Sequence, residues 1–294
     1  MADIKDRKNR NERSILMKKP IVAIMYDFDK TLCTRDMQEY TFIPSVGMEP
    51  GEFWNHTAEV AEAEVMDGIL TYMYCMVEKA HQTGNPLTRE SLVACGKDIE
   101  YLPGVEGWFA RINHYAEEAG VRVEHYVLSS GLKEIIEGTS IAKYFKRIYA
   151  CEFLYKDGQA IWPKMAVNYT NKTQFVYRIN KGVLDINNDV DLNNSRPDSE
   201  KRVFFSNMIY IGDGLTDVPC MKLVKQSGGH SIAIYQKGQQ QKAAPLLKHE
   251  RVDWMFEADY SEGSELDSAM KLLLQNLASY NKLKALNESQ KKHL

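Results

Sequence analysis

Residues 21–33, IVAIMYDFDKTLC, combine a short apolar run with two closely spaced aspartates. Six consecutive apolar or aromatic residues are typical of a strand that is buried on both faces of a parallel sheet. Asp27 and Asp29 follow this run directly, at a place where an unpaired buried charge is costly. Their position at the end of a buried strand therefore indicates a functional role for the two carboxylates.

The composition is that of a globular protein with a large core. The chain has 294 residues, of which 44% are hydrophobic and 26% are charged. Its formal net charge of −3 provides no overall basic field for a nucleic acid or an anionic membrane. Its longest apolar runs, such as residues 69–77, are far shorter than the roughly 20 residues that span a bilayer. We therefore expect a cytoplasmic protein with no nucleic-acid or membrane partner.

The N-terminus and the cysteines agree with a cytoplasmic location. Residues 1–20 are basic and contain too short an apolar stretch for a signal peptide, so we predict a flexible, solvated tail. An odd number of widely spaced cysteines, without a C-x-x-C pair, favours reduced thiols over disulfides or a zinc site. The five cysteines are Cys33, Cys75, Cys95, Cys151 and Cys220.

Apolar strands alternate with helical segments along most of the chain. The strand patterns of residues 21–27, 121–131 and 204–212 predict an α/β fold with a doubly wound, Rossmann-like parallel sheet. The turn KDGQ, residues 156–159, predicts a hairpin. Asn171 is the predicted N-cap of the helix that Gly182 ends.

The segment that follows the first aspartates has a different pattern. Residues 36–101 read as three helices, with breaks near Asp67 and across TGNP, residues 83–86. We expect them to form a small α-helical cap inserted after the first strand. The remaining residues, 21–35 and 102–294, would then form the α/β core.

Polar side chains from three strand ends and one helix start are expected to meet in one crevice, because ligands bind beyond the carboxyl ends of the strands in such sheets. These residues are Asp27, Asp29, Thr31, Ser129, Ser130, Lys172, Asp213 and Asp217. Carboxylates so close together raise one another's pKa unless a cation neutralises them. Oxygen ligands next to a substrate phosphate favour Mg²⁺. We therefore expect these carboxylates to bind Mg²⁺.

The two aspartates of the first motif suit a two-step reaction. A carboxylate that faces a phosphoryl group can act as a nucleophile, and Asp27 is the residue we assign to that role. Asp29 can protonate the leaving oxygen and then deprotonate the attacking water. Lys172 is predicted to neutralise the phosphoryl oxygens, with Lys164 as a rival for this role.

Four motifs together resemble the haloacid dehalogenase superfamily, in its phosphoserine-phosphatase-like branch with a helical cap. They are DFDKT, VLSSG, NKTQ and GDGLTD, which occur in the order of that family and span residues 21–235. The resemblance implies that Asp27 is the nucleophile and Asp29 the general acid/base. It also implies that Ser129 and Lys172 bind phosphate, and that Asp213 binds Mg²⁺ with support from Asp217.

The resemblance has a further implication for the metal ligands. The main-chain carbonyl of Asp29 is expected to be a metal ligand, in addition to the side chain of Asp27. Thr31 and Ser130 are expected to assist in binding the substrate phosphate because of their place at the strand ends, and not because of the resemblance.

These observations predict a phosphoric monoester hydrolase that needs Mg²⁺ and hydrolyses a small phosphorylated metabolite through an aspartyl-phosphate intermediate on the enzyme. A phosphotransferase or phosphomutase that uses the same aspartyl-phosphate is an alternative. A second alternative is a non-catalytic regulatory protein switched by a phosphorylated aspartate. The physiological substrate, the oligomeric state and the role of the polar loop at residues 183–203 stay open.

Overall fold

The computed structural model describes residues 19–197 and 200–291. The predicted basic tail at residues 1–20 lies outside these ranges except for its last two residues. Within the described ranges, no helix has the combination of length and apolar composition that crossing a membrane requires. All five cysteines are free and buried.

A seven-stranded sheet forms the centre of the protein, with the strand order β4-β3-β2-β1-β5-β6-β7. All neighbouring strands are parallel except β3 and β4, which form the antiparallel hairpin that the KDGQ turn predicts. The strands are β1 (Ile21–Tyr26), β2 (Arg122–Leu132), β3 (Phe145–Lys156), β4 (Gln159–Met165), β5 (Met208–Gly212), β6 (His230–Tyr235) and β7 (Trp254–Glu257). The predicted α/β, Rossmann-like sheet is therefore confirmed, with one antiparallel strand at its edge.

Eleven α-helices connect or cover the strands in the described ranges. They are α1 (Phe42–Ser45), α2 (Pro50–Ala63), α3 (Gly68–Gln82), α4 (Arg89–Cys95), α5 (Val105–Ala119), α6 (Lys133–Glu137), α7 (Thr173–Lys181), α8 (Asp189–Asn193), α9 (Val218–Gln226), α10 (Gln240–Lys248) and α11 (Glu265–Lys291). Five of them, α1 to α5, lie between β1 and β2, and α1 to α4 fall within the helical segment predicted at residues 36–101. Strand β7 and helix α10 were not predicted, because their sequences are short and have weak periodicity.

Strand β1 is the strand from which the site is built. Residues 22–26 have no solvent exposure, as the apolar run predicts. Tyr26 is paired with Val127 of β2 on one side and with Ile211 of β5 on the other. The carboxyl ends of these three strands therefore lie side by side.

The segment that contains α1 to α4 begins and ends at the same place beside the sheet. Cys33 and Tyr101 form an isolated antiparallel bridge. The Thr34 N–H donates to the Glu100 carbonyl at 3.0 Å, next to that bridge. Helices α2, α3 and α4 are the three helices predicted here, and the Asp67 carboxylate caps α3 by accepting from two backbone N–H groups. The stretch of chain that enters this helical segment therefore lies next to the stretch that leaves it.

One predicted helix start is wrong. The structure places Lys172, not Asn171, at the N-cap position of α7. The Asn171 side chain instead donates to the Ala166 carbonyl at 2.8 Å, and the side chain of Asn168 accepts the Asn171 N–H at 3.0 Å. A local turn closed by Asn168 therefore precedes the helix, because asparagine side chains also stabilise turns of this kind.

The polar loop is organised around one buried cation. The Arg178 guanidinium is almost fully buried and donates to the carbonyls of Asp185 and Ile186 at 2.8 and 3.0 Å. It also donates to the Asp189 carboxylate at 2.6 Å, at the start of the short helix α8. The sequence left the role of this loop open, because its polar composition alone gave no sign of this anchor.

A chain of hydrogen bonds crosses the core behind β1. The Trp108 indole donates to the Tyr26 hydroxyl at 3.0 Å, and this hydroxyl lies 3.1 Å from Nδ1 of His125. The other ring nitrogen, Nε2, lies 3.1 Å from the Asn113 carbonyl oxygen. This geometry suits a neutral imidazole that accepts from Tyr26 and donates to Asn113. Burial lowers the pKa of His125 to about 3.

We expect this histidine to make the fold sensitive to acid. Because the pKa of His125 is lower in the folded than in the unfolded chain, its contribution to stability is complete above pH 6.5. The contribution is lost as the pH falls from there toward 3, by about 2 kcal/mol between pH 8 and pH 5. Chemical unfolding of His125→Gln should show a smaller loss between these two pH values than the unchanged protein.

His114→Gln is the control, since His114 is an exposed histidine in the same region of the sequence. An equal pH dependence for His125→Gln and the unchanged protein would contradict the assignment.

Candidate active site

Three carboxylates converge where β1 and β5 end. Asp27, Asp213 and Asp217 each place one oxygen within 4.8 Å of the oxygens of the other two. Asp27 follows β1, and its N–H donates to the Ile211 carbonyl at 3.0 Å, which extends the pairing with β5. Asp213 follows β5 directly, so the register of these two strands brings the aspartates together.

A buried lysine joins two of these carboxylates. The Lys172 ammonium donates to Oδ1 of Asp27 at 2.9 Å and to Oδ1 of Asp217 at 2.6 Å. Its side chain has no solvent exposure. Burial alone would lower the pKa of Lys172, but the carboxylates of Asp217 and Asp27 raise it above the usual value. The lysine is therefore held as a cation at the centre of the cluster.

The rival lysine is in a different place. Lys164 lies on the edge strand β4, where its ammonium donates to the Glu152 carboxylate at 2.7 Å and its side chain is 47% exposed. A lysine in this position is already paired and faces solvent. The structure thus brings Lys172, and not Lys164, to the aspartates.

The cluster holds more negative charge than one lysine offsets. Burial raises the pKa of Asp27 to about 7, opposed by Lys172 and reinforced by Asp217. Burial and the charges of Asp27 and Asp217 raise the pKa of Asp213 to about 8. Shifts of this direction are expected where carboxylates lack a second cation.

The residues present fit a magnesium ion. The donor set consists of carboxylate oxygens, which Mg²⁺ prefers, and their spacing allows one ion to contact all three. A divalent cation would also offset the repulsion among these carboxylates, which adds to the effect of burial in raising the pKa of Asp27 and of Asp213. Asp27, Asp213 and Asp217 are therefore the side chains that could hold it.

Asp217 is fixed by two residues that sequence reasoning did not identify. The Tyr210 hydroxyl donates to Oδ1 of Asp217 at 2.7 Å, within the buried core. A Cβ atom at Gly212 would lie 2.4 Å from Oδ2 of Asp217, so any side chain there would displace the carboxylate. Tyr210 and Gly212 are two residues apart in β5 and therefore lie on the same face of the sheet. This spacing is the one feature of the sequence that could have linked both residues to Asp217.

Asp29 lies beside the triad but its carboxylate is not part of it. Oδ1 of Asp29 accepts the Met37 N–H at 2.8 Å. Burial raises the pKa of Asp29 well above its usual value, reinforced by the charges of Asp36 and Asp27. The side chain is thus turned toward the helical segment, and a role of the Asp29 carbonyl as a metal ligand stays a prediction.

The predicted hydroxyl groups have three different environments. Thr31 donates to Oδ1 of Asp213 at 3.3 Å, so its hydroxyl contacts a carboxylate of the triad. Ser129 is fully buried at the end of β2, where its oxygen accepts the Gly131 N–H at 3.0 Å. The Ser130 hydroxyl is buried and has no hydrogen-bond partner within residues 19–197 and 200–291. The Ser130 carbonyl accepts from the hydroxyl of Tyr72, which α3 contributes, at 2.8 Å.

Comparison with known proteins identifies the class. Residues 24–222 match the family model described as haloacid dehalogenase-like hydrolase. Because this match spans more than half of the chain, the protein belongs to the haloacid dehalogenase-like hydrolases.

Individual proteins are similar to this chain in sequence or in fold. A protein of Borreliella burgdorferi, named only as an uncharacterized protein, is 27% identical over 274 residues, which cover 84% of this chain and 94% of the relative. The structure of a phospho-aspartyl intermediate analogue of phosphoserine phosphatase superposes with a TM-score of 0.52 at 18% identity, over 86% of this chain and 99% of that chain. A probable phosphoserine phosphatase from Vibrio cholerae superposes with a TM-score of 0.54 at 12% identity, over 90% of this chain and 67% of that chain. These likenesses show that the fold is phosphoserine-phosphatase-like.

The triad predicts that Mg²⁺ stabilises the folded protein. At a concentration about 100 times its dissociation constant, the ion should add about 2.7 kcal/mol to the free energy of unfolding. Asp213→Asn should lose most of this gain, because it removes one ligand and one of the repelling charges. Unfolding by denaturant, with Mg²⁺ and with a chelator, measures the difference.

Asp157→Asn is the matched control, since Asp157 lies in the β3–β4 turn with a positive φ that asparagine also adopts. It should retain the full gain. The same gain in Asp213→Asn as in the unchanged protein would contradict the proposed metal ligands.

Proposed function

We propose that the protein is a Mg²⁺-dependent phosphatase that hydrolyses a small phosphomonoester through an aspartyl-phosphate on Asp27. The observation that carries this proposal is the buried Lys172 ammonium held between Asp27 and Asp217, next to Asp213. A nucleophilic carboxylate, a fixed cation and a cation-binding triad are the groups that phosphoryl transfer requires. Membership in a hydrolase family and a phosphoserine-phosphatase-like fold support it.

In the first step an oxygen of Asp27 forms a bond to phosphorus and the ester oxygen leaves. Lys172 already holds Oδ1 of Asp27, so Oδ2 is the attacking atom in this proposal. Asp29 gives its proton to the leaving oxygen, which departs as an alcohol. Burial raises the pKa of Asp29, which favours the protonated form that this step uses.

In the second step Asp29 takes a proton from water, and the water oxygen attacks phosphorus. The bond from phosphorus to Asp27 breaks, which releases inorganic phosphate and restores the carboxylate. Lys172 and the hydroxyl of Ser129 hold phosphoryl oxygens in both steps. A Mg²⁺ ion bound by Asp27, Asp213 and Asp217 would neutralise part of the negative charge on the phosphoryl group.

The helical segment at residues 36–101 is proposed to act as a cap over this site. Its two connections to the core are paired at Cys33 and Tyr101, a geometry that would let the helices move as a unit. Tyr72 in α3 contacts the Ser130 carbonyl at the end of β2, so the segment reaches the crevice. A closed cap excludes bulk water during the transfer. A small phosphorylated metabolite in the cytoplasm is the proposed substrate, as the names of the structurally similar phosphatases suggest.

The two aspartates of the first motif have different expected effects. Asp27→Asn should reduce phosphate release by about 10⁴-fold or more, because it removes the nucleophile. Asp29→Asn should reduce it by about 10²- to 10⁴-fold, the usual contribution of a general acid. The measurement is phosphate released from a panel of phosphorylated metabolites with Mg²⁺ and then with a chelator.

Asp157→Asn again serves as the control and should keep the original rate. Near-normal turnover of Asp27→Asn on the best substrate would disprove the proposed mechanism. Transfer of the phosphoryl group to an added alcohol, in place of water, would identify the protein as a phosphotransferase.

The two lysines provide a second, paired test. Lys172→Met should abolish turnover, because it removes the cation beside Asp27 and leaves two buried carboxylates unpaired. It should also destabilise the fold by about 3–5 kcal/mol, the usual cost of breaking a buried ion pair. Lys164→Met, on the exposed edge strand, should retain both stability and activity.

Circular dichroism establishes whether Lys172→Met is folded under the assay conditions. A folded Lys172→Met with normal turnover would exclude this lysine from phosphate binding, as would a loss of activity confined to Lys164→Met.

A further inference from the structure

The general acid/base of the proposed function, Asp29, accepts a backbone hydrogen bond from Met37 and a longer contact of 3.8 Å from the Cys33 thiol. Met37 is fully buried, in a short 3₁₀ turn at residues 37–39 that opens the helical segment. Its N–H donates to Oδ1 of Asp29 at 2.8 Å. The orientation of the Asp29 carboxylate therefore depends on where the backbone of Met37 lies.

The side chain of Met37 attaches this turn to the central sheet. Its sulfur accepts the Leu132 N–H at 3.0 Å, in the buried end of β2. The pairing of β2 with β3 is irregular between Leu128 and Leu132, so residues 129–131 bulge. Thioether sulfur is a weak acceptor, but a buried N–H without any acceptor would cost more. The sulfur and the Leu132 amide thus stabilise each other's position.

Gly131 provides the space for this contact. A Cβ atom there would lie 2.1 Å from Cε of Met37 and 2.8 Å from Oδ2 of Asp29. The methionine methyl group and the second oxygen of the acid therefore both pack against a bare Cα atom. Met37, Gly131 and Asp29 form one contact set between the first motif and the end of β2.

We propose that Met37 is a positioning residue that holds the Asp29 carboxylate for proton transfer by clamping the 3₁₀ turn to the Leu132 amide. This inference rests on the proposed function of Asp29 as general acid/base. The sulfur fixes the turn on β2, and the turn presents its first N–H to Oδ1. Oδ2 is left as the oxygen that carries the transferred proton.

Leucine at position 37 tests the sulfur contact, because it keeps an apolar side chain of similar volume and removes the acceptor. An alkyl phosphate needs a proton on its leaving oxygen, whereas 4-nitrophenyl phosphate releases a stable phenolate without one. In Met37→Leu, kcat/KM for an alkyl phosphate should fall at least tenfold, and kcat/KM for 4-nitrophenyl phosphate should stay within about twofold. Met37→Gln, whose side-chain carbonyl can accept the Leu132 N–H, should recover most of the loss.

Met270→Leu is the control, since it makes the same change at a fully buried methionine in α11. It should leave both substrates unaffected. An equal loss for the two substrates in Met37→Leu would indicate a merely structural role and overturn the inference, as would no loss for either.

A crystal structure of Met37→Leu tests the position of the Asp29 carboxylate without any measurement of phosphatase activity. The inference expects the Asp29 carboxylate to have moved away from the N–H of residue 37, and an unchanged Asp29 would overturn it. If the unchanged protein hydrolysed no phosphomonoester, the proposed function would fail, while this structure would still decide whether Met37 positions Asp29.

Discussion

The site depends on one buried ammonium group. Lys172 has no solvent exposure and lies between the carboxylates of Asp27 and Asp217. A lysine in such a place is unfavourable unless its charge is compensated, and two carboxylates in the same place are unfavourable without it. The three groups therefore require one another, and they hold the ends of β1 and β5 against the turn before α7. The charge that remains on the cluster is what a divalent cation would neutralise.

Two glycines, as well as the polar side chains, determine where the carboxylates of the site lie. Gly212 lets the Asp217 carboxylate fold back against β5, where Tyr210 donates a hydrogen bond to it. Gly131 makes the corresponding space for Asp29 and Met37 at the end of β2. In both places a carboxylate lies against bare backbone. Such close approaches restrict where each carboxylate can lie, and the placement of reacting groups contributes strongly to catalytic rates.

Much of this site could be predicted from the sequence, because strand ends obey a general rule. Apolar runs followed by aspartates predicted that Asp27 and Asp213 meet at the carboxyl ends of parallel strands, and the structure places them together. The contacts of Tyr210 and Met37 could not be predicted, since they join segments whose relative position is set by tertiary packing. The same holds for the buried Arg178, which organises a loop of polar composition. Asn171 was misassigned because an asparagine can cap a helix or close a turn, and only the surrounding chain decides between them.

The central claim is that an oxygen of Asp27 becomes bonded to phosphorus. The most direct measurement mixes the protein with a good substrate and Mg²⁺, quenches the reaction in acid within one turnover, and reduces the trapped adduct with borohydride. Reduction converts an aspartyl-phosphate to homoserine, which peptide mass spectrometry locates in the sequence. Homoserine is expected at position 27, and unmodified aspartates are expected at positions 29, 213 and 217. Homoserine at another position, or release of phosphate with no reducible adduct, would contradict the central claim.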